Sequence, residues 1–91
     1  MFFVYVLRSI SSGRFYIGQT DNLLVRFHQH QNGLVRSTKA YRPWAMPYCE
    51  ICPSRTDALQ REREIKRKKS TDSLRRIIAR YYSGLGLSAP W

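Results

Sequence analysis

The run "FFVYVL", residues 2–7, limits the possible folds of this chain more than any other stretch. It is continuously apolar, β-branched and aromatic, so it fits a strand covered on both faces and not one with a wet side. Turn residues follow in "SISSG", and residues 14–20 read as a second strand returning from a hairpin loop of about four to six residues. Both strands carry a tyrosine, Tyr5 and Tyr16. Periodicity alone does not set the register, so a shared face is permitted and not required.

Beyond the hairpin, Thr20 or Asp21 can cap a helix whose apolar residues Leu23, Leu24 and Phe27 recur at helical spacing, with Gly33 as its stop. This predicts a helix over about 21–32. The segment 33–47 carries basic and hydroxyl residues with two prolines and reads as a loop. A short third strand over 48–52 is entered after Pro47, which places it near a sheet edge. Ser54 or Thr56 caps a second helix through "DALQREREIKRKK", and Ser70 or Thr71 a third through "DSLRRIIARYY". In the third, Leu74, Ile77, Ile78 and Tyr81 form a core stripe.

Ninety-one residues support one modest core. The expected fold is α+β and sandwich-like: a small, three-stranded, mainly antiparallel sheet flanked by about three helices, in the order β-β-α-β-α-α. The domain spans 1–83, and 84–91 form an irregular tail in which Trp91 is the residue able to dock.

Sixteen Lys and Arg oppose six Asp and Glu, giving a formal charge of +10 and pointing to a polyanionic partner, most simply nucleic acid. No apolar run approaches the roughly 20 residues that span a bilayer, and "MFFVYVL" lacks the basic flank and cleavage site of a signal peptide. With two cysteines, too few for a disulfide framework, a cytoplasmic protein is expected. Cys49 and Cys52 form a C-x-x-C inside a predicted strand, where positions i and i+3 face opposite ways; this argues against a shared zinc or redox role.

Glu62 breaks the pattern of the second helix. Ala58, Leu59 and Ile65 define its apolar face and Glu62 falls near the centre, whereas Glu64 points to the solvated side. A carboxylate there is costly unless paired. Two readings stay open: an ion pair with a neighbouring Arg or an apolar stripe that ends a turn early, and a metal ligand at the rim of the core. Arg26 and His30, at i and i+4, project together from one flank of the first helix. They form either an exposed polar pair or, if that flank meets Glu62 and the tyrosines, one wall of a site.

Taken in order, these residues resemble a known family. "VYVL" followed by "YIG" is similar to the paired motif of GIY-YIG endonucleases. The match continues through Arg26 with His30 as the Arg-x-x-x-His or Tyr element, "RPW", "YCE", and "ALQREREIK" with Glu62 as its acidic residue. It covers residues 3 to about 69 and looks most like the small stand-alone members and the amino-terminal nuclease domain of the excinuclease C protein. Phe3 and Val4 stand where the motif's name has Gly and Ile, and the last asparagine is Asn32, although some members carry a late one in the site.

The resemblance implies a metal-dependent endonuclease hydrolysing phosphodiester bonds in DNA, structured or damaged DNA included, with Tyr5, Tyr16, Arg26, His30 and Glu62 as catalytic residues. One tyrosine activates water and the other positions it or the phosphate; Tyr5 is the favoured base. Glu62 suits one Mg²⁺ or Mn²⁺, because these hard cations take oxygen ligands. The planar fork of Arg26 pairs with phosphate oxygens. His30 can hydrogen-bond a tyrosine hydroxyl and accept its proton, or orient the water. A tyrosine pKa of about 10 requires such help at neutral pH. Gly18 is expected to let substrate backbone approach the sheet. Lys66, Arg67, Lys68 and Lys69, extended by Arg36, Lys39 and Arg42, are the expected backbone-tracking surface. The competing expectation is a module that binds nucleic acid without cleaving it. DNA is favoured over RNA, no membrane is implied, and a protein partner is left open.

Overall fold

In the computed structural model, which describes residues 1–67 and 71–90, the apolar run becomes strand β1, Phe2–Ser9. Strand β2, Phe15–Thr20, helix α1, Leu23–Gln31, and strand β3, Trp44–Cys52, follow, then helices α2, Arg55–Arg67, and α3, Thr71–Gly84. Expectations that fall on Lys68, Lys69, Ser70 and Trp91 lie outside the described residues.

The sheet order is β2-β1-β3 with both pairings antiparallel, so β1 is the middle strand. Its unbroken apolar character is what a strand covered on both faces requires. Val4 packs with Cys52, Ala58, Ile65 and Leu74, and Val6 with Tyr48 and Ile78, under α2 and α3. Tyr5 and Leu7 face the other way, against Trp44, Leu23, Phe27 and Tyr41, under α1 and the connection after it. The α+β class and the β-β-α-β-α-α order are those expected. Cys49 packs on the Tyr5 side and Cys52 on the Val4 side, so the two thiols sit on opposite faces.

Several boundaries differ for local reasons. β3 begins at Trp44, four residues before the expected start, and runs through Pro47. The pairing shifts between Val6 and Arg8, a bulge opposite the proline, and β3 is an edge strand where a missing N–H is tolerated. The expected loop therefore shrinks, and it also holds a 3-10 turn at Lys39–Tyr41. Asn22, not Thr20 or Asp21, caps α1: its side chain accepts from Val25 N at 3.2 Å, while the Thr20 hydroxyl accepts from Asn22 N at 3.1 Å. Gly33, at φ +74, is the expected stop. Ser54 caps α2, its Oγ accepting from Asp57 N at 3.1 Å.

Two residues expected in the core lie outside it. Leu59 is 37% exposed, so the buried face of α2 runs through Ala58 and Ile65 without it. Tyr81 is 45% exposed with its ring edge-on to Tyr48 and Tyr82; Tyr82 is the residue that turns inward, its hydroxyl donating to the Pro47 carbonyl. That polar anchor ties the last turn of α3 to β3. α3 also reaches Gly84, one residue into the expected tail.

Ile65→Ala should lower stability by about 2–5 kcal/mol in urea unfolding, whereas Leu59→Ala should cost less than about 1 kcal/mol. Equal losses would contradict this placement of the α2 face.

Candidate active site

The strand register answers the question left open by periodicity. Tyr5 pairs with Gly18 and Leu7 with Tyr16, so both tyrosines stand on the α1 face as diagonal neighbours, their ring centroids 6.4 Å apart. A β-carbon at position 18 would lie 2.5 Å from Tyr5 Oη and 3.1 Å from Tyr16 Cε1. Gly18 therefore leaves the space that the Tyr5 ring lies across. In the structure the Tyr5 ring occupies that space.

Helix α1 delivers the next two groups. His30 is 0% exposed, with Nε2 2.8 Å from Tyr5 Oη and Nδ1 2.8 Å from Thr38 Oγ1. Its ring meets Tyr16 edge-on at a centroid distance of 5.1 Å. A buried imidazole must satisfy both nitrogens, and here both have partners. Burial and then the Arg26 charge push its pKa down to about 4, so it is neutral at pH 7. Both of its partners are buried as well, Tyr5 at 1% and Thr38 at 1% exposed.

Arg26, half-buried, donates from Nη1 to Gln29 Oε1 at 2.9 Å, and the neighbouring Tyr5 hydroxyl raises the guanidinium pKa. Burial pushes the Tyr5 hydroxyl above its ordinary pKa; Arg26 pulls it back, while Tyr16 and Glu62 add to the rise. Of the two readings of the Arg26–His30 flank, the structure supports the polar cluster.

Glu62 projects from α2 with 18% of its side chain exposed and accepts from Lys66 Nζ at 3.1 Å, a lysine taking the place of the expected arginine. Lys66 is 54% exposed, so this pair is solvent-screened and contributes about 0–1 kcal/mol. Among the described residues, no group of three or more His, Cys, Asp or Glu gathers to hold a metal. One loosely paired carboxylate offers the oxygen donors that a hard divalent cation would take.

Sequence reasoning missed Thr38, which falls in a segment read as loop and carries no signal beyond a hydroxyl near a histidine. It also missed the clamp around Glu50. Arg61 Nε and Nη2 lie 2.9 Å from its Oε1 and Oε2, respectively, and the Tyr48 hydroxyl donates to Oε2 at 2.6 Å. Burial pushes the Glu50 carboxyl up, but the Arg61 and Tyr48 bonds hold it below its usual value. Of the expected basic surface, Arg36, Lys39 and Arg67 are exposed. Arg42 is exposed but engaged: its Nε donates to the Lys39 carbonyl at 2.9 Å and its guanidinium lies over Gly33.

A family model described as "GIY-YIG catalytic domain" matches residues 1–77. UPF0213 proteins of Staphylococcus aureus strains Mu50 and N315 are each 34% identical over 79 residues, 86% of this chain and 95% of theirs. No solved structure matches the chain.

The His30 ring should show no titration in NMR spectra between pH 8 and 5, protonating only near pH 4. Because this folded value lies below the unfolded one of about 6.5, the stabilising contribution is full above about pH 6.5 and is lost as pH falls toward 4. A midpoint near pH 6.5 would mean that the ring is hydrated and the Tyr5–His30–Thr38 contacts are absent.

Proposed function

This chain belongs to the GIY-YIG nuclease domain family, and we propose that it is a metal-dependent endonuclease hydrolysing phosphodiester bonds in DNA, with Tyr5 as the base. The observation carrying this reading is the Tyr5 hydroxyl, laid across Gly18, hydrogen-bonded to a buried neutral histidine and reached by a half-exposed arginine.

Hydrolysis needs an in-line nucleophile, neutralisation of charge on the phosphate and a route for protons. The Arg26 fork takes phosphate oxygens, and its charge opposes the rise that burial imposes on Tyr5. In its ionised form Tyr5 removes a proton from the attacking water as the new P–O bond forms; the opposite P–O bond breaks and the leaving oxygen takes a proton from solvent. Tyr16 positions the water or the phosphate. Glu62 would hold one Mg²⁺ or Mn²⁺ in exchange for Lys66, and the ion when bound neutralises phosphate charge. Lys66, Arg67, Arg36 and Lys39, continued in sequence by Lys68 and Lys69, track the backbone through salt-dependent contacts. The second reading, binding without turnover, draws on the raised pKa of Tyr5, which leaves the phenol protonated at rest.

Nicked, branched, linear and single-stranded DNA and RNA, each incubated with Mg²⁺, Mn²⁺ or chelator, separate the two readings. The expected result is metal-dependent DNA cleavage, lowered about 10²–10³-fold by Glu62→Ala and by Arg26→Ala with folding and DNA binding retained, and not restored by Arg26→Lys. Binding with no cleavage of any substrate would favour the second reading, and wild-type rates in Glu62→Ala would remove Glu62 from the site.

A further inference from the structure

We propose that Thr38 is a positioning residue whose hydroxyl donates to His30 Nδ1 and so holds the imidazole in the tautomer with its hydrogen on Nε2, aimed at the Tyr5 oxygen. The catalytic consequence rests on the reading of Tyr5 as base; the tautomer does not.

The assignment follows from counting donors. Thr38 has one hydroxyl hydrogen and two acceptors in reach, His30 Nδ1 at 2.8 Å and the Val35 carbonyl at 3.3 Å. The Val35 carbonyl already accepts from Thr38 N at 3.1 Å and Lys39 N at 3.0 Å, which fills both of its lone pairs. The shorter contact, to an otherwise unserved Nδ1, takes the hydrogen. The second neutral nitrogen, Nε2, is then the protonated one, and it lies 2.8 Å from Tyr5 Oη.

The placement of Thr38 is itself enforced. Its carbonyl accepts from Trp44 Nε1 at 3.1 Å and from Tyr41 N at 3.1 Å. Trp44 is in turn tied to α1, its N donating to Gln31 Oε1 at 2.7 Å and its carbonyl accepting from Gln31 Nε2 at 2.9 Å. The helix turn carrying His30 and the turn carrying Thr38 are thus cross-linked one residue from the imidazole, and the β-branched threonine has few rotamers.

The Tyr5 oxygen consequently faces the His30 Nε2–H donor and stands beside the Arg26 charge, both of which favour its ionised form. His30 does not collect the Tyr5 proton. The phenolic hydrogen is directed away from the imidazole and passes to water when Tyr5 ionises.

Long-range ¹H–¹⁵N correlation spectra of the full chain with ¹⁵N-labelled histidine, at pH 7, report the tautomer directly, and His28→Gln assigns the two rings. Wild type and Thr38→Ser should show His30 with its hydrogen on Nε2, and Thr38→Val should lose this single state. In cleavage assays Thr38→Val should lower kcat about tenfold or more with KM little changed, and Thr38→Ser should restore it. Wild-type His30 protonated on Nδ1, or an unchanged tautomer in Thr38→Val, overturns the proposal. If Thr38→Val fails to fold, the wild-type spectrum still decides. An Nε2–H wild type that cleaves nothing supports the hold of Thr38 on His30 and refutes the nuclease reading alone.

Discussion

The 2.8 Å contact between Tyr5 Oη and His30 Nε2 joins the middle strand of the sheet to α1, and the arrangement of the site follows from it. Both groups are buried, and an unpaired buried polar group costs about 1–3 kcal/mol, so each makes the other tolerable in the core. The contact forms only because position 18 lacks a side chain, because α1, capped by Asn22, has a phase that turns His30 inward, and because Thr38 serves the far nitrogen. Arg26, one helical turn before His30, is thereby set beside the same phenol.

The two faces of β1 divide the labour. Under α2 and α3 the contacts are those of a core, and the carboxylate on that side, Glu50, is locked by Arg61 and Tyr48. Among the described residues, Glu62, three residues from Ile65 on the same helix, pairs with one exposed lysine. Two acidic side chains thus differ in how they are held: Glu50 ties β3 to α2, whereas Glu62 is paired with a solvent-exposed lysine.

Much of this was legible because it depends on local chemistry. The unbroken run at 2–7 demands cover on both faces, and Pro47 marks an edge strand. The i, i+4 pair of Arg26 and His30 and the misfit of Glu62 each carry a signal in one helix. The register was not legible, since a slip of one residue would send Tyr16 to the other face without changing composition. Thr38 was hidden because its partner is eight residues away across a turn, and no period links the two. Leu59 and Tyr81 were misplaced because helical spacing gives the direction of an apolar stripe and not its width; the width depends on how far the sheet extends beneath each turn.

The central claim is that Tyr5 and Arg26 act on one phosphate as one unit. Single-turnover cleavage of the best DNA substrate in Mg²⁺, by wild type, Tyr5→Phe, Arg26→Ala and the double variant, tests it most directly. Groups that act as a unit are non-additive, so the double variant should be no slower than the slower single variant within about threefold. Losses that multiply, or a Tyr5→Phe protein that cleaves at the wild-type rate, would contradict the account.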